Sequence, residues 1–202
     1  MAKLHFKYAS MNSGKSIDLI RTVYNYEENG FKVLVLKPKV DTKADESVQT
    51  RIGLERKTDF LIKEDDSILN ILKSNLNDVI AIFIDEVQFL NKNQIDELFL
   101  ISKAVDIPII CYGLRNNFKM ESFEGSKRLL EIADILEELP TLCNCGNIAR
   151  YVARKHNGDY EVDGKEIIID GEDNYEYEPL CGNCYLTKVK KLNLKKINKQ
   201  LV

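Results

Sequence analysis

The sequence lacks any stretch approaching the ~18 consecutive apolar residues that a membrane-spanning helix requires. Its first residues, Met1 to Phe6, run directly into a strand-like pattern, so we expect no signal peptide. No internal repeat or low-complexity segment is present. We therefore expect no membrane partner and a cytoplasmic location.

The sequence also lacks a large excess of charge of either sign, and it has only two histidines. The formal net charge is −3 and the pI about 5.6, whereas a nucleic-acid-binding domain is more often basic, so we expect no nucleic-acid partner. The Lys-rich tail from Lys188 to Lys199 is the exception. We interpret it as a solvated end, with an electrostatic contact to a partner as the alternative. His5 and His156 are far apart in sequence, and we expect neither to be catalytic.

The rest of the composition, 44% hydrophobic and 30% charged, is that of an ordinary globular protein. Strand-like and helix-like runs alternate, which predicts an α/β fold with a parallel sheet and helices on both faces. The segment from Pro38 to Thr58 is polar and is predicted to be a loop. The predicted strands are Leu4–Tyr8, Phe31–Leu36, Val79–Ile84 and Ile107–Tyr112, and the predicted helices are Lys15–Glu28, Ile68–Leu76, Gln94–Ala104 and Phe123–Leu139.

A phosphate-binding motif follows the first predicted strand. The run Ala9-Ser10-Met11-Asn12-Ser13-Gly14-Lys15-Ser16 matches the P-loop pattern, except that Ala9 stands at the usual first Gly. In such a loop, backbone N–H groups surround phosphate oxygens and the next helix points its positive end at them. Lys15 would reach the outer phosphates of a nucleoside triphosphate, and the Ser16 hydroxyl would coordinate Mg²⁺. The alternative is an ordinary strand-to-helix turn.

Two acidic residues end a second strand. Ile82-Phe83-Ile84 leads into Asp85 and Glu86, and ligands of open α/β sheets bind at the carboxyl ends of strands. Asp85 is a candidate for the Mg²⁺ shell, directly or through water, and Glu86 is placed to act as a base. Taken alone, such a run is often only a turn at the end of a strand.

The cysteines form two close pairs, Cys143 with Cys145 and Cys181 with Cys184. Four thiolates suit a tetrahedral structural Zn²⁺ site, although the first pair is spaced more tightly than is common. Free buried thiols or redox chemistry are the alternatives. Cys111 lies inside an apolar strand and is expected to belong to the core.

The composition changes near residue 140, after which Cys, Gly and Tyr become more frequent. We predict a P-loop nucleotide-binding α/β domain over 1–140, a small zinc-binding lobe over 141–187, and a Lys-rich tail over 188–202.

In combination, these stretches resemble the zinc-containing class of thymidine kinases, and the chain is most similar to the enterobacterial branch. The resemblance covers nearly the whole chain in order. It is carried by Tyr8–Ser16, Arg51–Leu54, Asp85–Leu90, Ile107–Arg115, Cys143–Gly146 and Tyr177–Cys181.

The resemblance implies that ATP phosphorylates the 5′-hydroxyl of thymidine, with deoxyuridine also accepted, to give dTMP and ADP. Glu86 resembles the general base, and Asp85 resembles the carboxylate that organises Mg²⁺. Val87 and Gln88 extend the implied ATP-binding set beyond the P-loop. The resemblance further implies a homotetramer and feedback inhibition by dTTP.

The implied nucleoside site has two parts. The first is a thymine pocket, and the second is a loop in the zinc lobe, the lasso, which runs roughly from Arg150 to Tyr177 and binds the base largely through backbone groups. Tyr175 competes with Tyr177 for the nucleoside contact, since the segment before Cys181 is longer than in the branch it resembles. The implied substrate-binding residues are Met11, Phe89, Leu114, Phe118, Phe123, Ile167, Ile168, Ile169 and Tyr177.

Two departures from the family pattern concern the phosphate side. Ala9 replaces the usual first Gly, a feature that the enterobacterial branch shares. Lys43 stands where the family has an Arg, and Lys lacks the planar fork of that side chain, so Arg51 is a candidate replacement. A second hypothesis is a P-loop ATPase whose zinc lobe and Lys-rich tail bind nucleic acid. The acidic overall charge disfavours it.

Overall fold

The computed structural model describes residues 1–39, 46–166, 168 and 173–201. They form two compact units, each assembled from separate stretches of chain. The first unit contains Met1–Tyr8, Gly14–Arg115 and Phe123–Leu139. The second unit contains Ala9–Ser13, Asn116–Ser122 and Pro140–Val202.

The first unit is built on a six-stranded parallel sheet of order β5-β2-β6-β7-β1-β8. Its elements are β1 (Leu4–Ala9), α1 (Lys15–Glu28), β2 (Lys32–Pro38), β3 (Ser47–Gln49), β4 (Glu55–Lys57), β5 (Phe60–Ile62), α2 (Ile68–Leu72), β6 (Val79–Ile84), a 3₁₀ turn (Val87–Phe89), α3 (Lys92–Ala104), β7 (Ile109–Leu114), α4 (Glu124–Ile132) and β8 (Ile135–Glu138).

Helices cover both faces of this sheet, because successive side chains of a strand point to opposite faces. Val33 and Val35 of β2 belong to a buried cluster with Leu19 and Val23 of α1. The alternate residues of β2 belong to a second cluster, which also contains apolar side chains of α2, α3 and α4. The central strands are therefore buried on both sides, and the predicted fold class is confirmed.

Several predicted elements match closely, including α1 and β6, while others were wrong in extent. The predicted loop Pro38–Thr58 contains an antiparallel hairpin of β3 and β4, and α2 ends at Leu72 rather than Leu76. The predicted helix Phe123–Leu139 ends at Ile132. Beyond it, Ile135–Glu138 forms the parallel edge strand β8 beside β1. Pairing with a strand about 130 residues away overrides the local helix preference there.

The second unit is built mainly of short strands around a small core. A three-stranded antiparallel sheet of order β12-β11-β13 is its largest element. Its elements are β9 (Thr141–Leu142), β10 (Ile148–Ala149), β11 (Tyr151–His156), β12 (Asp159–Tyr160), β13 (Tyr175–Leu180), the short helix α5 (Gly182–Cys184), a π-helical turn (Tyr185–Val189) and α6 (Leu194–Leu201). In the described part of the chain, no helix is both long enough and apolar enough to cross a membrane.

Candidate active site and metal centre

The acidic end of β6 is the centre of the site in the first unit. Asp85 follows the last residue of the strand, and its backbone N–H donates to Leu36 O of the neighbouring β2 at 3.0 Å. This pairing holds Asp85 at the carboxyl edge of the sheet, where the sequence predicted it. Its side chain is only 3% exposed.

The carboxyl group of Asp85 has an unpaired oxygen and a perturbed pKa. Among the residues that the structure describes, its Oδ1 is a buried oxygen without a hydrogen-bond partner. Burial, together with the charge of Glu86, raises the pKa of Asp85 to about 7, and Lys37 and Lys15 partly oppose this rise. A divalent cation would supply the missing charge and ligand contact, because Mg²⁺ takes carboxylate oxygens.

Glu86 lies in a left-handed backbone conformation, with φ of 51°, and caps the 3₁₀ turn Val87–Phe89. The amide Nε2 of Gln88 donates to the Glu86 carboxylate. The Oε1 of Gln88 accepts a hydrogen bond from Leu114 N at 3.0 Å. Gln88 is 2% exposed, so a buried amide links the carboxylate to the end of β7.

Two glycines let the backbone pack tightly around this turn. A Cβ at Gly113 would lie 2.7 Å from Gln88 Oε1, and a Cβ at Gly125 would lie 2.6 Å from the carbonyl oxygens of Leu90 and Val87. Neither position tolerates a side chain without displacement of its neighbours. The glycines therefore help to fix where the Glu86 carboxylate is held.

Lys15 is a buried cation that interacts electrostatically with both carboxylates. It is the first residue of α1, and Gly14 before it adopts a φ of 79°, which glycine accommodates without strain. Burial lowers the pKa of Lys15, while the charges of Glu86 and Asp85 favour its protonated form. The first unit thus brings Lys15, Asp85 and Glu86 within electrostatic range. Ser16 follows in the first turn of α1 and is half-buried.

The preceding residues of the predicted P-loop, Ala9 to Ser13, group with the second unit. Ser10 is buried and its hydroxyl donates to Ala149 O at 3.4 Å. Thr141 Oγ1 donates to Asn12 O at 3.1 Å. Asn12 has a φ of 62°, so this short run contains a left-handed turn.

The predicted thymine-pocket residues are divided between the two units. Within the first unit, the rings of Phe89 and Phe123 pack edge to face with centroids 5.8 Å apart, and Leu114 O accepts from Ser126 Oγ at 2.5 Å. Within the second unit, Met11 is half-buried and Phe118 is buried.

The predicted lasso residues are described only in part. Tyr177 donates its hydroxyl to Ile168 O at 2.7 Å, whereas the Tyr175 ring stacks on His156 with centroids 4.3 Å apart. Ile167 and Ile169 lie outside the described residues, as does Lys43.

The four predicted metal-binding cysteines come together in the second unit. The Sγ atoms of Cys143, Cys145, Cys181 and Cys184 all lie within 4.8 Å of one another. Zn–S bonds of about 2.3 Å in a tetrahedron place sulfurs roughly 3.8 Å apart, so the spacing fits a metal ion. Hydrogen bonds from Asn147 lower the pKa of Cys145 to about 6, which favours its thiolate. Cys111 is buried in the first unit, in β7, as expected.

The contacts of two buried side chains, Gln88 and Arg154, were not predicted from the sequence. Gln88 was predicted to bind ATP, and in addition its amide donates a hydrogen bond to the Glu86 carboxylate. Arg154 was not singled out, although it is 1% exposed and pairs with Glu161 at 2.6 Å. Its place in an alternating strand gives no signal of this, because an Arg there is ordinarily a solvent-facing residue.

Comparison with known proteins gives a consistent result. A family model described as thymidine kinase matches residues 2–185. Thymidine kinase from Streptococcus gordonii is 39% identical over 187 residues, which cover 92% of this chain and 96% of the relative. Thymidine kinase from Pasteurella multocida is 41% identical over 178 residues, covering 87% and 93%. Thymidine kinase from Zymomonas mobilis is 40% identical over 196 residues, covering 95% and 100%.

Proposed function

Because the chain belongs to the thymidine kinase family and transfers the γ-phosphate of ATP to the 5′-hydroxyl of thymidine, we propose that Glu86 is its general base. The supporting observation is the hydrogen bond that Gln88 donates to the Glu86 carboxylate. This hydrogen bond restrains the carboxylate. Phosphoryl transfer depends mainly on positioning and charge neutralisation, so a fixed carboxylate suits the removal of the hydroxyl proton.

We propose that the P-loop, together with Asp85 and the residues that follow it, binds the phosphates of ATP and Mg²⁺. Lys15 would neutralise the outer phosphates, and the backbone amides from Ala9 to Gly14 would bind their oxygens. Ser16 and Asp85 would hold Mg²⁺, which neutralises charge on the transferring phosphoryl group when bound. The orphaned Asp85 oxygen supports this assignment. Val87 and Gln88 complete the proposed ATP-binding set.

For the nucleoside, we retain the set that the family resemblance implies. Its aromatic and apolar members would pack against thymine, and the backbone of the lasso would read the edge of the base. The set consists of Met11, Phe89, Leu114, Phe118, Phe123, Ile167, Ile168, Ile169 and Tyr177. Tyr177 rather than Tyr175 is the proposed contact, since the Tyr175 ring is already stacked on His156.

The four-cysteine cluster is proposed to hold a structural Zn²⁺. The cluster joins the chain before β10 to the chain after β13, so a bound ion would close a loop of about 35 residues and reduce the entropy of ordering it. We accordingly assign nucleotide binding to residues 1–140, the zinc and lasso functions to 141–187, and a tail without catalytic role to 188–202.

Other properties follow from the family alone. We propose a homotetramer, inhibition by dTTP, activity on deoxyuridine, and a role in nucleotide salvage for DNA synthesis in the cytoplasm, where ATP is available. Nucleic acid and membranes are not expected partners.

The test is a kinase assay across the four deoxynucleosides with Mg-ATP. Thymidine should be phosphorylated and purine deoxynucleosides should not. Glu86→Gln should keep ATP binding and lose about 10²–10⁴-fold in kcat, because that is the usual contribution of a general base. A kcat near that of the wild type would remove Glu86 from this role. ATP hydrolysis stimulated by polynucleotide, without turnover of thymidine, would favour the alternative ATPase.

A further inference from the structure

Among the described residues of the second unit, Arg154 is the most deeply buried charged side chain, at 1% exposure. It lies in β11, opposite Tyr177 of β13. A guanidinium cannot be deprotonated in a protein, so its burial is costly unless its donors and its charge are matched. The groups that bind the guanidinium therefore show which segments of the chain Arg154 holds in place.

Its polar contacts reach the segment between β12 and β13. Nε donates to Glu161 Oε2 at 2.6 Å, and Nη1 donates to Lys165 O at 2.5 Å. Gly164 approaches so closely that a Cβ there would lie 2.6 Å from Nη2. The fork of Arg154 therefore binds both a side chain and the backbone where this segment begins.

Its flat faces are covered by aromatic rings. The guanidinium carbon lies 3.7 Å from the centroid of Phe118 and 5.4 Å from that of Tyr175. Both distances are within the range of cation–π attraction. Phe118 comes from a separate stretch of chain, Asn116–Ser122, and Tyr175 begins β13. One side chain thus connects the distant Phe118 with two segments that follow β11 in the sequence.

We propose that Arg154 is a positioning residue for thymidine, and that it sets the lasso backbone by holding Phe118, Lys165 and Tyr175 in one arrangement. The inference rests on the proposed nucleoside site, in which Phe118 and the lasso contact the base. Arg154 itself touches neither substrate nor phosphate in this scheme. Its effect falls on thymidine affinity, because a misplaced backbone cannot match the edge of a pyrimidine.

The first test is Arg154→Lys, which keeps the charge but loses the planar fork and most of the stacking. KM for thymidine should rise about tenfold or more, while KM for ATP stays within about twofold. Zinc content and the melting temperature show whether the second unit is intact. Arg128→Lys is the matched control, since Arg128 pairs with Asp96 and Glu131 in the first unit.

A second pair of variants tests the contact between Arg154 and Gly164 by changing the glycine. Gly164→Ala would push a methyl group against the guanidinium, and Gly158→Ala has a similarly unfavourable positive φ but nothing within 4 Å. Only Gly164→Ala should raise KM for thymidine. In both Arg154→Lys and Gly164→Ala, amide exchange at Lys165 and Tyr175 should be faster than in the wild type.

The outcomes distinguish failure of the proposed function from failure of the proposed role of Arg154. A wild-type enzyme that fails to phosphorylate thymidine would overturn the proposed function. An active wild type, with unchanged thymidine KM in folded, zinc-loaded Arg154→Lys and in Gly164→Ala, would overturn the role of Arg154 alone. An equal rise in both KM values would also overturn it, since the effect would then be general.

Discussion

The buried amide of Gln88 donates to the carboxylate of Glu86 and accepts from the backbone N–H of Leu114. The orientation of Glu86 is therefore tied to the carboxyl end of β7 through a side chain that is itself 2% exposed. A carboxylate placed by a rigid partner needs little reorganisation when it accepts a proton.

Gln88→Leu should lower kcat by about 10–100-fold, because a hydrogen bond to a charged group contributes roughly 1.5–3 kcal/mol. Steady-state kinetics at saturating thymidine measures this. Gln94→Leu is the control, since Gln94 is equally buried but caps α3 and should lower the melting temperature without lowering kcat. Equal losses of kcat in the two variants would show that burial, and not orientation, accounts for the effect.

Gly113→Ala should reproduce part of the Gln88→Leu defect. The added methyl group would meet Gln88 Oε1 at 2.7 Å and Val87 Cγ1 at 2.9 Å. Since Gly113 has an ordinary negative φ, any effect comes from this contact and not from backbone strain. Measurement of kcat together with thermal unfolding checks it, and an unchanged kcat would indicate that the amide has room to move.

The raised pKa of Asp85 makes stability depend on pH. Asp85 keeps its proton up to about pH 7 in the folded state, whereas the unfolded carboxyl releases it near its ordinary pKa of 3.8. The folded state thus binds more protons in this window, so the free energy of unfolding falls as pH rises from about 4 to 7. Asp85→Asn should be more stable than the wild type by on the order of 4 kcal/mol at neutral pH, and by much less at pH ~4. Urea unfolding without nucleotide measures the difference; a constant difference across this range would contradict it.

The proton on the Asp85 carboxyl also competes with Mg²⁺ for that group. Asp85 must be ionised to accept Mg²⁺, so Mg-ATP should bind about tenfold more weakly at pH 6 than at pH 8. Titration calorimetry gives the affinity, and Asp85→Asn serves as the control because its binding should lack this pH dependence. The same slope in that variant would assign the titration to another group.

Metal content gives an independent check on the cysteine cluster. Elemental analysis should find about one zinc ion per chain. Cys181→Ser should lose it and raise KM for thymidine more than KM for ATP, because the cluster belongs to the unit that contains the lasso. Cys111→Ala removes a buried thiol of the first unit and should keep the metal. Metal-free protein with normal thymidine kinetics would refute a structural role.

The elements best predicted from the sequence are those whose signals are local. The helix α1 follows a glycine and ends at Asn29-Gly30, and β6 is a continuous apolar run. The strand β8 could not be found in this way, because Ile135–Glu138 contains good helix formers and pairs with distant His5 to Tyr8. A segment of four residues has no local sequence signal for pairing with a strand about 130 residues away.

In the candidate site, too, the features with local sequence signals were predicted and those that depend on tertiary contacts were not. Lys15 belongs to a P-loop motif, Asp85 and Glu86 gain weight from that motif, and the structure brings the three within electrostatic range. The four cysteines also meet as their pairing predicts. The orienting role of Gln88 and the stacking of Arg154 depend on which side chains meet in space, and such contacts have no fixed sequence spacing. They require the packed structure.

The second unit draws on three stretches, Ala9–Ser13, Asn116–Ser122 and Pro140–Val202. On the ribosome, the first of these emerges long before the last. At roughly 5–20 residues per second, the wait is on the order of 10–30 s. The residues from Ala9 to Ser13 would therefore remain without contacts such as those to Thr141 and Ala149 until these later residues have been synthesised.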